Sequence, residues 1–153
     1  MILVDKIDRQ ILALMQENAQ LTIHEIGQRI HLSKSPIHER IKRLEREGVI
    51  EKYVTLLNKK KLGNLLVVFC HVTLDKQTRD TFVEFDRAIA QLPEIMECNL
   101  VSGSFDYLLK IIVHDMENYN RFYQERLSVI PGILNISSFF VMSEVKNTTV
   151  IPV

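Results

Sequence analysis

The feature that most constrains this chain is a repeat in its second half. Leu92-Pro93-Glu94-Ile95 and Ile130-Pro131-Gly132-Ile133 lie 38 residues apart. Each follows a helical segment and opens an apolar extended one. Leu65 to Leu74 reads as a buried strand, rich in Val, Leu and Phe and ended by Asp75. Thr78 to Leu92 places Phe82, Phe85, Ile89 and Leu92 on one helical side. A second strand runs from the Pro93 turn to about Val101. The cycle then recurs: a strand over Asp106 to Val113, a helix over Met116 to Val129, and a last strand from Ile133 through Val145. Strand-helix-strand twice is the split βαβ arrangement of a ferredoxin-like sandwich. Two helices cover one face of such a sheet. Val67, Phe69, Ile111, Phe139 and Val141 leave too many apolar side chains for that face alone. A homo-oligomer packed sheet to sheet is therefore expected, most simply with two-fold symmetry.

The first 57 residues follow another pattern, that of three short helices. From Asp5 to Glu17, Ile7, Ile11 and Leu14 share one face, and Asp5 and Asp8 lie where the helix dipole favours negative charge. Thr22-Ile23-His24-Glu25 has the spacing of a capping box, followed by Ile23, Ile26 and Ile30 on a buried face. Gly27 is a poor helix former, so close approach of a neighbour is expected there. After a break at His31-Leu32-Ser33, with Ser33 as N-cap, a third helix runs from Lys34 to Glu47. Ile37, Ile41 and Leu44 point inward, and Gly48 ends it. Two helices across a tight break, behind a packing helix, form a helix-turn-helix, whose second helix enters the DNA major groove N-terminal half first. Projected at 100° per residue, Lys34, Ser35, His38 and Lys42 share a side with Arg46 beside them, and Arg40 and Arg43 flank the group. With Ser33, these are the cations, hydroxyls and imidazole that meet phosphates and base edges. A solvated basic face is the plain alternative. Val49 to Leu57 reads as a short strand, completing a winged domain over 1–57. Residues 58–64 read as a linker, and 65–153 as the second domain.

Charge supports the division. The whole chain has 153 residues, with nineteen Lys+Arg against nineteen Asp+Glu. Residues 1–61 carry twelve basic and eight acidic side chains; residues 62–153 carry seven and eleven. A positive front suits a phosphate backbone, which would repel an acidic back. The longest apolar run, Leu65 to Cys70, is far short of the ~20 residues of a membrane helix. Met1-Ile2-Leu3-Val4 meets Asp5 at once, so neither a signal peptide nor a membrane partner is expected. Two cysteines in apolar stretches suit a reducing cytoplasm.

Few residues suggest chemistry. The five histidines show no metal-ligand spacing, and no phosphate-binding glycine loop is present. Neither a metal, a cofactor nor a catalytic residue is expected. Val101-Ser102-Gly103-Ser104-Phe105-Asp106-Tyr107 stands apart as a glycine-containing hairpin between the two central strands. Gly103 permits positive φ and close approach to backbone amides. Amides and Ser104 suit a carboxylate and Asp106 an ammonium, the two ends of an α-amino acid. An ordinary tight turn is the other reading.

Taken in order, several segments resemble the Lrp/AsnC family of transcriptional regulators, on its leucine-responsive branch. They are Ile7-Asp8-Arg9-Gln10-Ile11-Leu12, Leu32-Ser33-Lys34-Ser35-Pro36, Glu39-Arg40-Ile41-Lys42-Arg43-Leu44-Glu45 and Gly48-Val49-Ile50. The back half adds Glu97 through Lys110, residues 127–132 and Val141-Met142-Ser143-Glu144-Val145-Lys146. The resemblance implies a DNA-binding domain joined to a ligand-sensing RAM domain of ferredoxin-like α+β fold. It implies dimers through the sheets assembling to octamers, double-stranded DNA as partner, and a cytoplasmic, nucleoid-associated regulator that is not an enzyme. It also implies an amino-acid effector held between dimers near Ser102, Gly103, Ser104, Phe105, Asp106 and Tyr107. Many members carry Thr-x-Thr on the last strand; here these positions read Ile136-Ser137-Ser138, and of the two Thr positions Ser138 keeps a hydroxyl and Ile136 does not. Two alternatives remain open. One is an architectural DNA-binding protein without effector. The other is an enzyme similar to siroheme decarboxylases, which share both domains; for it, His71 and His114 show no obvious common face.

Overall fold

The computed structural model describes residues 3–63 and 65–153. Met1 and Ile2 of the expected N-terminal opening, and Asn64 of the expected linker, lie outside the described residues. The chain forms two compact units, residues 1–56 with 146–153, and residues 57–145. The last eight residues, expected with the second domain, join the first unit instead. There Gln16 donates from Nε2 to the Ile151 carbonyl (3.0 Å) and accepts from the Ile151 N–H (2.7 Å).

In the first unit α1 (Lys6–Glu17), α2 (Ile23–Ile30) and α3 (Lys34–Arg46) enclose Ile11, Ile26, Ile37 and Ile41. Both α1 and α2 start with capping boxes, Asp5 with Asp8 and Thr22 with Glu25. These bonds satisfy helix-end donors that would otherwise go unpaired. At Gly27 the expected close approach is real: an added Cβ would lie 2.5 Å from the Leu32 carbonyl oxygen. The neighbour is the α2–α3 turn itself. His31 enters that turn in the left-handed region, at φ 57°. Beyond α3, Gly48 takes φ +72°, and the Val49 and Ile50 N–H groups return to the Leu44 carbonyl. The strand expected over Val49 to Leu57 does not form. Val49 and Ile50 form a bend, residues 51–57 take no regular secondary structure, no strand among the described residues pairs with them, and Tyr53, Val54, Leu56 and Leu57 are exposed. Within the expected linker, residues 59–62 form a 3₁₀ turn capped by Asn58.

The second unit holds β1 (Leu66–Leu74), α4 (Arg79–Ile89), β2 (Ile95–Leu100), β3 (Tyr107–Val113), α5 (Met116–Phe122) and β4 (Ile133–Phe140). The α5 helix continues as a π-turn over Tyr123–Leu127. The sheet is antiparallel in the order β2-β3-β1-β4, as the split βαβ pattern requires. The two Pro-containing turns differ. Gly132 takes φ +82°, and its carbonyl accepts from the Asp75 N–H, which a bulkier residue would strain.

The helix-facing side buries Val68, Cys70, Val72, Leu74, Tyr107, Leu109, Ile111 and Val113 under Phe85, Ile89, Tyr119 and Phe122. Ile111 thus belongs to the core, contrary to its expected place on the other face; it pairs with Val68 and has no exposure. The open face presents the alternate residues Val67, Phe69 and His71 of β1, Leu108, Lys110 and Ile112 of β3, and Ser137 and Phe139 of β4. The last strand stops at Phe140 rather than Val145. Among the described residues its strand partner is β1, and just past the strand the Val141 N–H bonds the carbonyl of Val67, one residue inside the start of β1 at Leu66.

Candidate functional site

The eight residues expected on the DNA-reading face separate into three groups. Ser33 occupies the N-cap position of α3 with extended backbone, but its hydroxyl makes no capping bond. Lys34, Ser35 and His38 follow on the first turns, exposed, and their side chains make no hydrogen bond or ion pair among the described residues. These four present two hydroxyls, a cation and an imidazole around the positive end of a helix dipole. Lys42 and Arg46 are exposed further along, with Glu45 (3.0 Å) and Glu47 (3.5 Å) beside them.

Arg40 and Arg43 are turned elsewhere. Asp8 is fully buried, and its carboxylate accepts from Arg40 Nη1 (2.8 Å), from Arg43 Nη2 and from the Asp5 N–H (3.0 Å). Arg40 also reaches Asp5 Oδ2 at 2.6 Å. The hydrogen bond from the Asp8 N–H, and then Arg40, hold the Asp5 carboxyl down at about 2. Asp5 and in turn Asp8 raise Arg40 above its usual value. Both arginines therefore fasten α3 to the start of α1, with 28% and 36% of their side chains still exposed. Sequence reasoning took Asp5 and Asp8 as dipole partners only. A signal existed: the i, i+3 acids on α1 match the i, i+3 arginines on α3.

The loop between β2 and β3 is pinned at both ends. The Val101 N–H donates to the Asp106 carbonyl and the Asp106 N–H to the Val72 carbonyl, both at 2.9 Å. Asp106 is nearly buried; its carboxylate accepts from the Leu74 N–H (2.7 Å) and Gln77 Nε2 (2.9 Å). Within this chain it holds the loop in place, where the sequence suggested an ammonium partner. Tyr107 belongs to the core. Its hydroxyl donates to Asp86 Oδ1 at 2.8 Å, and burial followed by that carboxylate pushes its phenol pKa up. Between the pins, Ser102, Gly103 and Ser104 stand exposed. Gly103 does not take the positive φ that glycine permits, and a Cβ there would meet nothing within 4 Å. Neither backbone conformation nor packing within the chain demands glycine at this point. Phe105 lies flat on His71, with ring centroids 3.8 Å apart.

Ser138 stands two strands from β3, on the edge strand β4. Its Oγ shares a hydrogen bond with the Tyr119 hydroxyl at 2.5 Å, and Cys70 Sγ lies 3.7 Å away. Burial raises both the Cys70 and the Tyr119 pKa. His71, Gln77 and Tyr119 are the residues that sequence reasoning missed here. Each acts across strands or helices, and none has a local spacing that would mark it. His71 and His114 do not meet. His71 lies on the open face, while His114 lines a cleft of about 460 Å³ with Glu94, Arg121 and Arg126 beyond the other end of β3. Among the described residues no cluster of His, Cys, Asp and Glu could hold a metal ion, and no helix is long and apolar enough to cross a membrane.

Comparison with known proteins matches residues 4–51 to the winged helix-turn-helix DNA-binding family model and residues 67–151 to the Lrp/AsnC ligand binding domain. The leucine-responsive regulatory protein of Escherichia coli K12 is 43% identical over 145 residues, covering 95% of this chain and 88% of that protein. A transcriptional regulator of Neisseria meningitidis, solved as a complex with L-Met, superimposes with TM-score 0.92 at 33% identity, over 98% of this chain and 97% of that one. An AsnC family regulator of Agrobacterium tumefaciens gives TM-score 0.91 at 32% identity, over 97% and 96%.

Proposed function

The chain belongs to the Lrp/AsnC family of transcriptional regulators, and from that premise we propose which of its residues read DNA and which sense the effector. It is a DNA-binding regulator whose DNA binding or assembly is modulated by an amino acid. The reading edge is the N-terminal half of α3, with Ser35 and His38 meeting base edges and Ser33 and Lys34 meeting phosphates. Lys42 and Arg46 add phosphate contacts further along. The observation that carries this assignment is the division of polar side chains on α3: Arg40 and Arg43 bond Asp8, while the exposed Ser33, Lys34, Ser35 and His38 side chains have no partner among the described residues. Gel shifts on matched and scrambled duplexes test it. Ser35→Ala and His38→Ala are expected to relax preference for the matched site; unchanged preference in both refutes the assignment.

The effector site centres on the exposed turn at Ser102, Gly103 and Ser104, whose amides and hydroxyls suit a carboxylate. Phe105, Asp106 and Tyr107 shape it from beneath, and Ser138 offers a hydroxyl from β4. An open glycine that the chain itself does not require supports a contact arriving from outside. Relatives named for leucine and solved with L-Met support an apolar aliphatic amino acid as effector. The open sheet face, with Val67, Phe69, Ile112 and Phe139, suits a second copy of the chain, and octamers built from such dimers suit an effector held between them. Several reading helices on one assembly add avidity to an individually modest basic face. Such a regulator acts on the nucleoid in the cytoplasm and needs no catalytic group. The separation of His71 from His114 disfavours a tetrapyrrole enzyme on this scaffold.

A further inference from the structure

The loop that carries Ser102, Gly103 and Ser104 is closed at Val101 and Asp106 by backbone bonds. Between those pins its one large side chain is Phe105, and the platform for Phe105 is the His71 imidazole. The rings are nearly parallel, 10° apart in plane and 3.8 Å between centroids. His71 also meets Phe139, with ring centroids 4.5 Å apart and planes tilted by 44°. Phe139 directly follows Ser138 on β4, and it stands half exposed on the open sheet face. One imidazole at the centre of β1 thus touches both the exposed loop and the strand that bears Ser138. It does so from the side of the sheet opposite the helices.

We propose that His71 is a positioning residue: the Phe105–His71–Phe139 stack sets the place of the 102–106 loop and ties it to the open face of the sheet. The inference rests on the preceding reading in two respects, the loop as effector site and the open face as the seat of a second copy. Given these, an effector that moves Phe105 shifts the platform under Phe139, and packing of a second copy on Phe139 shifts the loop. The two binding events then influence each other equally, as linkage requires. The physical means is a rigid ring pair with a defined geometry, and a flexible aliphatic side chain would not transmit it.

The test compares the full-length chain with His71→Leu, which keeps apolar bulk but loses the ring, and with His71→Phe, which keeps the ring. Hydrogen exchange is followed at the Val101 and Asp106 amides, whose bonds close the loop. Stacking energies of aromatic pairs translate into a change of about three- to tenfold. His71→Leu is expected to speed exchange at both amides by that factor, and His71→Phe to restore the wild-type rate to within about twofold. L-leucine and L-methionine are then titrated by calorimetry, and assembly is followed by sedimentation velocity. The responsive amino acid is expected to bind His71→Leu three- to tenfold more weakly, with a matching loss of its effect on assembly, and His71→Phe as it binds wild type. Melting temperature is recorded for each variant, so a general loss of stability is recognised. Exchange that is the same in all three proteins, or equally fast in both variants, overturns the inference. If the wild type binds neither amino acid, the effector reading fails, and exchange at Val101 and Asp106 still decides the role of His71.

Discussion

Replacing Arg43 by alanine separates the two roles that a basic side chain on a reading helix can have. In the structure its Nη2 donates to Asp8, a carboxylate with no exposure, while 36% of the Arg43 side chain remains exposed. A hydrogen bond to a charged group is worth about 1.5–3 kcal/mol. Breaking a buried pair outright costs about 3–5 kcal/mol, which is an upper bound because Arg40 and the Asp5 N–H still reach Asp8. Part of the cost is returned, since the buried Arg43 Nε has no partner and leaves with the side chain. A loss of about 2 kcal/mol follows for the first unit, or a fall of about 8–16 °C in its melting transition at the scale of a small domain. Circular dichroism on the full chain measures this. DNA binding, titrated against salt well below the transition, is expected to keep its slope. A removed phosphate contact would lower that slope by about 0.9. An unchanged melting transition together with a shallower salt slope refutes the structural role, and places Arg43 on DNA.

Three other outcomes follow from the same geometry. Lys34→Ala is expected to leave melting unchanged while weakening binding to all duplexes and lowering the salt slope by about 0.9, the signature of one lost phosphate contact. Gly27→Ala gains about 1 kcal/mol of helix propensity. It also forces the Leu32 carbonyl to retreat from 2.5 Å, at a cost of about 1–3 kcal/mol or more, so thermal denaturation is expected to show a less stable protein; a more stable one contradicts the reading of the turn. Asp5 has a folded pKa of about 2 against 3.8 unperturbed, so its contribution is complete above about pH 4 and is lost as pH falls towards 2. Asp5→Asn is expected to flatten the fall in melting temperature across that window, and a profile identical to wild type counts against the Asp5–Arg40 link.

Much of the architecture is legible in the sequence because its signals are local. Thr22 and Glu25 announce a helix start three residues apart. The Pro93 and Pro131 turns mark the repeat, and Gly27 signals a close approach that the Leu32 carbonyl supplies. What escapes is set by distant partners. Leu108 to Val113 is apolar on both faces except at Lys110, so alternation could not say whether Ile111 or Ile112 faces the helices; pairing with Val68 decides it. Val49 to Leu57 has strand composition, but a strand needs a neighbour. The expected β4 outran its partner β1. Arg40 and Arg43 share a helical surface with residues that suit DNA, and only the folded position of Asp8, 32 and 35 residues away, draws them inward. Asp106 has the right chemistry for an ammonium group, yet the Leu74 N–H and Gln77 reach it first. At Gly103 the backbone leaves the permitted positive φ unused, and the space above it is open.

The most direct test of the account is the affinity of the full-length protein for a duplex from its own upstream region, titrated against salt, with and without L-leucine or L-methionine. Tighter binding than to a scrambled duplex, a steep loss with salt, and a shift of affinity or stoichiometry by one of the two amino acids are predicted. Binding that ignores sequence, or that neither amino acid changes, would contradict it.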